Sequence, residues 1–248
     1  MKKLVSILLV SVLMACTLVG CGKDNSTGEV LTVGTNAEFP PFEYVGEDGE
    51  PDGFDIALIK AIGDKLGYEV VVENMEFASL IGAIGTKIDV AIAGMTIDEE
   101  RLQSVDFSDP YYDAIQYVIV PEGSDIQTAA DLEGKKIGVQ LGTTGDCAVE
   151  EIEGATAAQY NKGVDAVNDL LNGRVDCVII DKNPALVFEA EYDGIVALPG
   201  DQFDFAVEQY AIALPKGDTE LAEKINKALA ELKEDGTYTR LVEEYIEN

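Results

Sequence analysis

Arg101 stands one short turn beyond Asp89-Val90-Ala91-Ile92-Ala93, an apolar run that reads as a buried strand ending in the small loop Gly94-Met95-Thr96. A guanidinium fork beside strand-end amides and a threonine hydroxyl makes a receptor for a carboxylate. From spacing alone, an ordinary loop with a solvated arginine explains the phrase equally well. Other strand ends add to the set, and open α/β sheets bind ligands beyond the carboxyl ends of their strands. After residues 30–34 come Thr35-Asn36-Ala37-Glu38-Phe39; after 136–140, whose last residue is Gln140, come Leu141-Gly142-Thr143-Thr144-Gly145; after 176–180 comes Asp181. Arg101, the Thr96 hydroxyl and the helix-start amides of Thr143 and Thr144 suit a carboxylate. Asp181 suits an ammonium, Phe39 and Phe77 suit apolar walls, and Asn36 and Gln140 suit a polar side chain. A zwitterion flanked by aromatics is an amino acid. The structural alternatives are plain. Asp181 precedes Lys182-Asn183-Pro184 and would serve as a helix cap, Gly142 to Gly145 would be a simple helix start, and Phe39 and Phe77 would be core residues. The Gly142 loop lacks the Gly-Lys-[Ser/Thr] of a phosphate-binding loop.

These positions need an alternation of strands and helices to hold them. Apolar runs predict strands at 30–34, 68–73, 88–93, 136–140, 156–160, 176–180 and 194–198. Helical spacing predicts helices near 54–66, 77–86, 145–153, 163–172 and 183–190, as in the Leu58, Ile59, Ile62, Leu66 face. A last helix carries Leu221, Ile225, Leu229 and Leu232, with Asp218 as N-cap. The rhythm is α/β with largely parallel sheets. Residues 81–92 echo 167–179: a helix, a basic residue and a β-branched residue precede an Asp (Asp89, Asp176) that opens an apolar strand. Two similar lobes are the simplest interpretation. Tyr117 to Pro121 and Tyr210 to Pro215 are matching strand-plus-Pro phrases, placed here at the edges of the second lobe as crossover strands.

The chain has 248 residues, 17 Lys and Arg against 47 Asp and Glu, and no histidine. Lys2 and Lys3 before the apolar run Leu4 to Val19 predict an export signal. Leu18-Val19-Gly20-Cys21 resembles a lipobox, with cleavage before Cys21 and lipidation of its sulfur; residues 22–29 read as a tether. Without Lys2 and Lys3 the formal charge is −32, which excludes ordinary nucleic-acid binding. The absence of histidine excludes histidine triads and the usual zinc sites. No catalytic residue, metal site or cofactor is assigned. Cys147 and Cys177 are read as separate buried thiols in preference to a disulfide.

With these residues on the page, the chain resembles bacterial extracellular solute-binding proteins of the polar amino acid ABC transporter family, solute-binding family 3, in lipoprotein form. The likeness covers residues 30–246. It is carried by Gly34 to Glu43 (GTNAEFPPFE), Gly53 to Ile56, Gly94 to Arg101, Val105 to Tyr112, Gly138 to Gly145 and Glu234 to Tyr238. It implies a two-lobe periplasmic-binding-protein fold of the second type, with two hinge strands near 112–118 and 206–212. The implied organisation is a lipoprotein signal at 1–20, a tether at 21–29, lobe 1 from 30–114 plus 209–248, and lobe 2 from 115–208. The implied function is closure on a polar L-amino acid and delivery to membrane permease subunits, by a monomer anchored through lipid to the outer face of the cell membrane. By position, Arg101 grips the α-carboxylate and Asp181 the α-ammonium. Gly94, Met95 and Thr96 supply the loop beside them, Thr143 and Thr144 reach across, and Phe39 and Phe77 sandwich the side chain. Many relatives carry an acid at the position of Asn36, and some a lysine at that of Gln140, so these two leave the ligand open between neutral polar and cationic amino acids. Glu38 and Asp113 are the acids considered for a cationic side chain. A sensory domain or a dehydratase-like enzyme on the same fold are the alternatives.

Overall fold

The computed structural model describes residues 28–247; the leader, the Cys21 lipobox and most of the tether lie outside them. One α/β unit is used twice. In the first lobe the Asp89 carboxylate accepts the Thr32 N–H at 2.8 Å and the Asp89 N–H donates to the Thr32 carbonyl at 2.8 Å. In the second lobe Asp176 and Lys136 repeat both bonds at 2.8 Å. Each aspartate thus ties the start of its strand to the strand beside it. The glycine two residues further on serves both units. A Cβ on Gly34 would lie 2.3 Å from Ile88, and one on Gly138 would lie 3.2 Å from Val178 and 3.1 Å from Ala166. The echo between residues 81–92 and 167–179 is therefore a repeated solution to one packing problem.

The first sheet runs Glu69–Asn74, Val30–Thr35, Val90–Ala91, Ala213–Pro215, Val105–Phe107. Its first three strands are parallel, and Ala213–Pro215 is antiparallel to both neighbours. The second runs Thr156–Tyr160, Lys136–Gln140, Cys177–Asp181, Tyr112–Pro121, Ile195–Leu198. A small antiparallel sheet of Glu38–Phe39, Glu43–Val45 and Pro51–Asp52 lies beside the first. Helix Phe54–Leu66 occupies the predicted span, and Thr219–Glu234 starts where Asp218 accepts the Leu221 N–H at 3.1 Å. The segment near 77–86 is shorter than its pattern predicts, a 3-10 turn Phe77–Ser79 and one helical turn Leu80–Ala83.

Strand Tyr112–Pro121 links the lobes. Its residues 112–115 pair with 207–210, and 116–121 then enter the second sheet. Tyr117 to Pro121 is therefore not at an edge of that sheet but between Cys177–Asp181 and Ile195–Leu198. The phrase from Tyr210 to Pro215 likewise divides, ending inside the first sheet. Both corrections have one cause: a strand that crosses between sheets is apolar along its whole length, so pattern alone does not show where it changes partner. Cys177 is buried as expected, but Cys147 is exposed, and both are free thiols.

Asp89→Ala and Asp176→Ala should each lower stability by about 1 kcal/mol, the scale of a backbone N–H bonded to a partly solvated carboxylate. The two losses should add, because the sites sit in different lobes. Urea denaturation of the single and double variants reads this. A double variant as stable as wild type would mean the repeated bonds contribute nothing, and one no weaker than either single would refute their independence.

Candidate functional site

Gly94 follows the short strand Val90–Ala91 and turns the chain into the cleft. Its φ is +53°, and a Cβ there would lie 2.9 Å from the Phe39 ring. Glycine is required on both counts. The turn carries Thr96 into a bridge with Tyr210 and leads to the 3-10 turn Arg101–Gln103. Asp98 positions Arg101 twice, accepting its backbone N–H at 2.8 Å and lying 3.0 Å from its Nε. Nη1 donates to the Thr96 carbonyl at 2.7 Å, and Nη2 donates across the cleft to the Gly142 carbonyl at 3.0 Å. The guanidinium also lies 5.5 Å from the Phe77 ring centre. Arg101 is 8 % exposed. Each terminal nitrogen carries a second N–H beyond the one donated to a carbonyl.

Asp181 ends the strand Cys177–Asp181 of the second sheet and is 7 % exposed. It precedes helix Lys182–Glu191 but its side chain makes no capping bond. The carboxylate instead accepts the Tyr210 hydroxyl at 2.5 Å. Burial, and then the nearby Glu208 charge, push its carboxyl up to about 7 against the bonds from Tyr210 and Gln116. Burial penalises the charged form, and no cation is bonded to it.

One narrow slot between the lobes, with free space of only about 10 Å³, brings together Asn36, Phe39, Phe77, Gly94, Thr96, Arg101, Gln140, Thr143, Thr144 and Asp181. Met95 is not among its lining residues. Its side chain is fully buried with Leu80, Ile88, Val105 and Ala213 in the core of the first lobe. The loop offers one face to the cleft and one to the core, and a thioether belongs to the second. Two hydroxyls also serve partners other than those expected. Thr96 donates to Glu208 at 2.6 Å and Thr144 donates to the same oxygen at 2.8 Å. Thr143 caps helix Thr144–Glu150 through the Asp146 N–H at 3.2 Å and donates to the Gln140 carbonyl at 2.8 Å.

Asn36 and Gln140 meet across the cleft. Gln140 Nε2 donates to Asn36 Oδ1 at 2.8 Å and to the Asn161 carbonyl at 3.1 Å, and Asn36 Nδ2 donates to the Met75 carbonyl at 2.9 Å. Both donors of the Gln140 amide are thereby used. Nearby, Lys162 of the second lobe pairs with Glu38 of the first at 2.5 Å. Glu38, Glu76 and Lys162 line a wider recess that shares Asn36 with the slot. Asp113 stands apart from the slot, accepting from Gln209 at 3.1 Å in the ladder between the lobes.

Sequence pattern missed Glu43, which lines the slot fully buried, together with Glu208 and Asp98. Glu43 had a visible signal, an acid between Phe42 and Tyr44. Glu208 had none, because its partners Thr96 and Thr144 lie 112 and 64 residues away.

Residues 31–248 match the family of bacterial extracellular solute-binding proteins, family 3. The arginine-binding extracellular protein ArtP of Bacillus subtilis is 36% identical over 250 residues, covering 97% of this chain and 96% of its own. An ancestral arginine-binding protein bound to arginine is 44% identical, with a TM-score of 0.82 over 88% of this chain and 98% of its own. The same description bound to glutamine gives 45% identity and a TM-score of 0.83 over the same shares.

Proposed function

Because this chain belongs to the bacterial extracellular solute-binding proteins of family 3, we propose that it captures a polar L-amino acid, a cationic one in preference, by closure of two lobes and delivers it to the permease of an ABC importer. One observation carries the reading. Arg101 beside the first sheet and Asp181 at the end of the second are both nearly buried and line one slot with Phe39 and Phe77. A free amino acid presents a carboxylate and an ammonium on one carbon, and this pair of opposite charges from opposite lobes matches it. Closure follows from the division of contacts between lobes, since only the closed form makes them all. The ladder of residues 112–115 with 207–210 is the natural hinge.

The preference for a cation has a separate basis. With both Gln140 donors used, the amide offers a ligand its carbonyl oxygen, an acceptor that suits N–H groups. The recess beside Asn36 sets Glu38 and Glu76 against Lys87 and Lys162, with Glu38 already paired to Lys162, so the preference rests on the slot itself. The Phe77 ring, already under the Arg101 guanidinium, is also suited to a cationic stem. A ligand carboxylate at that end would meet the Gln140 carbonyl oxygen, and Lys162, the nearby cation, is already engaged by Glu38; burying an unpaired anion is costly. The names of ArtP and of the arginine-bound ancestral protein support arginine as the leading ligand. Placement outside the cytoplasm through a lipid on Cys21 completes the reading.

A thermal-shift screen of the proteinogenic amino acids should give its largest shifts with arginine and the other cationic ligands, and glutamine ahead of glutamate. Glutamate giving the largest shift would overturn the assignment of the slot's side-chain end. Arg101→Ala should weaken binding by about 2–5 kcal/mol, or roughly 30- to 4,000-fold, with the fold intact. Asp181→Asn should weaken it in the same direction. Calorimetry showing less than about a threefold loss for Arg101→Ala would sink the carboxylate role. Cys21→Ala should move the protein from the membrane fraction to the soluble one; retention equal to wild type would contradict the anchor.

A further inference from the structure

Glu43 and Asp55 are buried carboxyl groups with no basic partner. Glu43 lies in the strand Glu43–Val45, Asp55 in the first turn of helix Phe54–Leu66, and both are 0 % exposed. Asp55 Oδ2 accepts the Gly94 N–H at 2.8 Å and the Tyr111 hydroxyl at 2.7 Å. Asp55 Oδ1 and both oxygens of Glu43 have no partner. Orphaned buried acceptors call for an explanation. A single proton accounts for two of the three: protonated Glu43 donates to Asp55 Oδ1, and one Glu43 oxygen is left free. Two adjacent carboxyls in a dry site do not both ionise. Burial, followed by the Asp55 and Asp181 charges, holds Glu43 well above the usual carboxylate range, and burial raises Asp55 to about 6.

Among the described residues no cation is bonded to either group. Asp181 faces Glu43 from the second lobe, with Glu208 behind it. Tyr111 and Tyr210 are phenols that burial keeps neutral. Arg101 lines the same slot, but its Nε and two of its terminal N–H groups are held by Asp98, the Thr96 carbonyl and the Gly142 carbonyl. Glu43 itself lines the slot with Asp181. A buried carboxyl with one oxygen still unpartnered after the bond to Asp55 therefore stands where the reading above brings an ammonium.

We propose that Glu43 and Asp55 share one proton and form part of the binding site, with Glu43 completing the receptor for the ligand ammonium beside Asp181. The inference rests on the slot being an amino-acid site. When the cation arrives, the ionised pair is favoured and the shared proton leaves to solvent. The sign follows from linkage. The pair titrates higher in the free protein than in the complex, so binding releases protons and tightens as pH rises from the ordinary carboxylate range toward the raised range of the free pair, and levels off once the free pair is itself ionised. One released proton corresponds to about a tenfold change in affinity per pH unit. Asp181 adds a release of its own that is coupled to Glu43 through its charge, so the proton count is also compared in an Asp181→Asn background.

Glu43→Gln tests this. The amide fills the same space and donates an N–H to Asp55 Oδ1, but carries no titrating proton. Titration calorimetry with L-arginine across the mildly acidic to neutral range, in two buffers of different ionisation heat, counts the protons released. Glu43→Gln should release fewer than wild type, bind about tenfold or more weakly, and show a flatter pH profile. An infrared difference spectrum of wild type, bound minus free, should lose a protonated-carboxyl stretch, and this readout does not depend on how the variant folds. Equal proton release by wild type and folded Glu43→Gln, or an unchanged carboxyl stretch, overturns the inference and leaves the amino-acid reading standing. If no amino acid binds the wild type at all, that reading falls and this inference with it.

Discussion

Carboxyl groups without basic partners govern the seam between the lobes. Glu43 and Asp55 come from the first lobe, Asp181 from the second, and Glu208 from the ladder that joins them. A chain of this acidity has few cations to spare for its interior, and a lone buried carboxylate is expensive. Neutral O–H donors do much of the compensation. Tyr111 serves Asp55, Tyr210 serves Asp181, and Thr96 and Thr144 serve Glu208. The arrangement couples the acids to the hinge, because Tyr210 and Glu208 both lie on the strand Val207–Tyr210. Tyr210 is also packed edge-on to Phe42 at 5.3 Å, so the donor to Asp181 is held by the aromatic core of the first lobe.

The repeated α/β unit sets the geometry across the cleft. In the first lobe Asn36 stands four residues beyond Thr32, the partner of Asp89; in the second Gln140 stands four residues beyond Lys136, the partner of Asp176. The two amides are thus equivalent positions of one repeated design, and they meet at 2.8 Å. Strand ends that point at a common slot bring matching positions together, which is why carboxyl-end loops supply most of its lining. The remaining slot residues depart from the repeat. Arg101 needs the Gly94 turn and the Asp98 clamp, and neither has a counterpart among the bonds of the second unit.

Much of this was legible in the chain because the signal was local. Strands such as Lys136–Gln140 and helix Phe54–Leu66 are uninterrupted patterns bounded by glycine or polar residues, and the residues just past each strand follow by rule. Asn36, Phe39, Arg101, Gln140 and Asp181 were reachable in that way. Met95 was misplaced because a three-residue loop does not reveal which side chain turns inward. Glu208 and Asp98 were missed because their roles depend on partners that only the fold supplies, across a hinge in one case and around a 3-10 turn in the other. The small sheet that carries Glu43 has strands of two or three residues, too short for periodicity to register.

The two ends of the slot work by different physics, which allows them to vary independently. At the Arg101 and Asp181 end, charges are fixed by bonds to Asp98 and Tyr210 on separate elements, so the geometry is rigid and suited to what every amino acid shares. At the Asn36 and Gln140 end, two amides satisfy one another across the gap. An amide pair carries no net charge, so exchanging one member for another neutral polar residue changes the balance of donors and acceptors without creating a buried ion, whereas a charged residue there would need a ligand of opposite charge. An acid at Asn36 or a lysine at Gln140 would shift that balance toward cations or toward anions, while the Arg101 clamp stayed as it is. On the proposed reading, side-chain selectivity is therefore adjustable at two residues that the first end does not use.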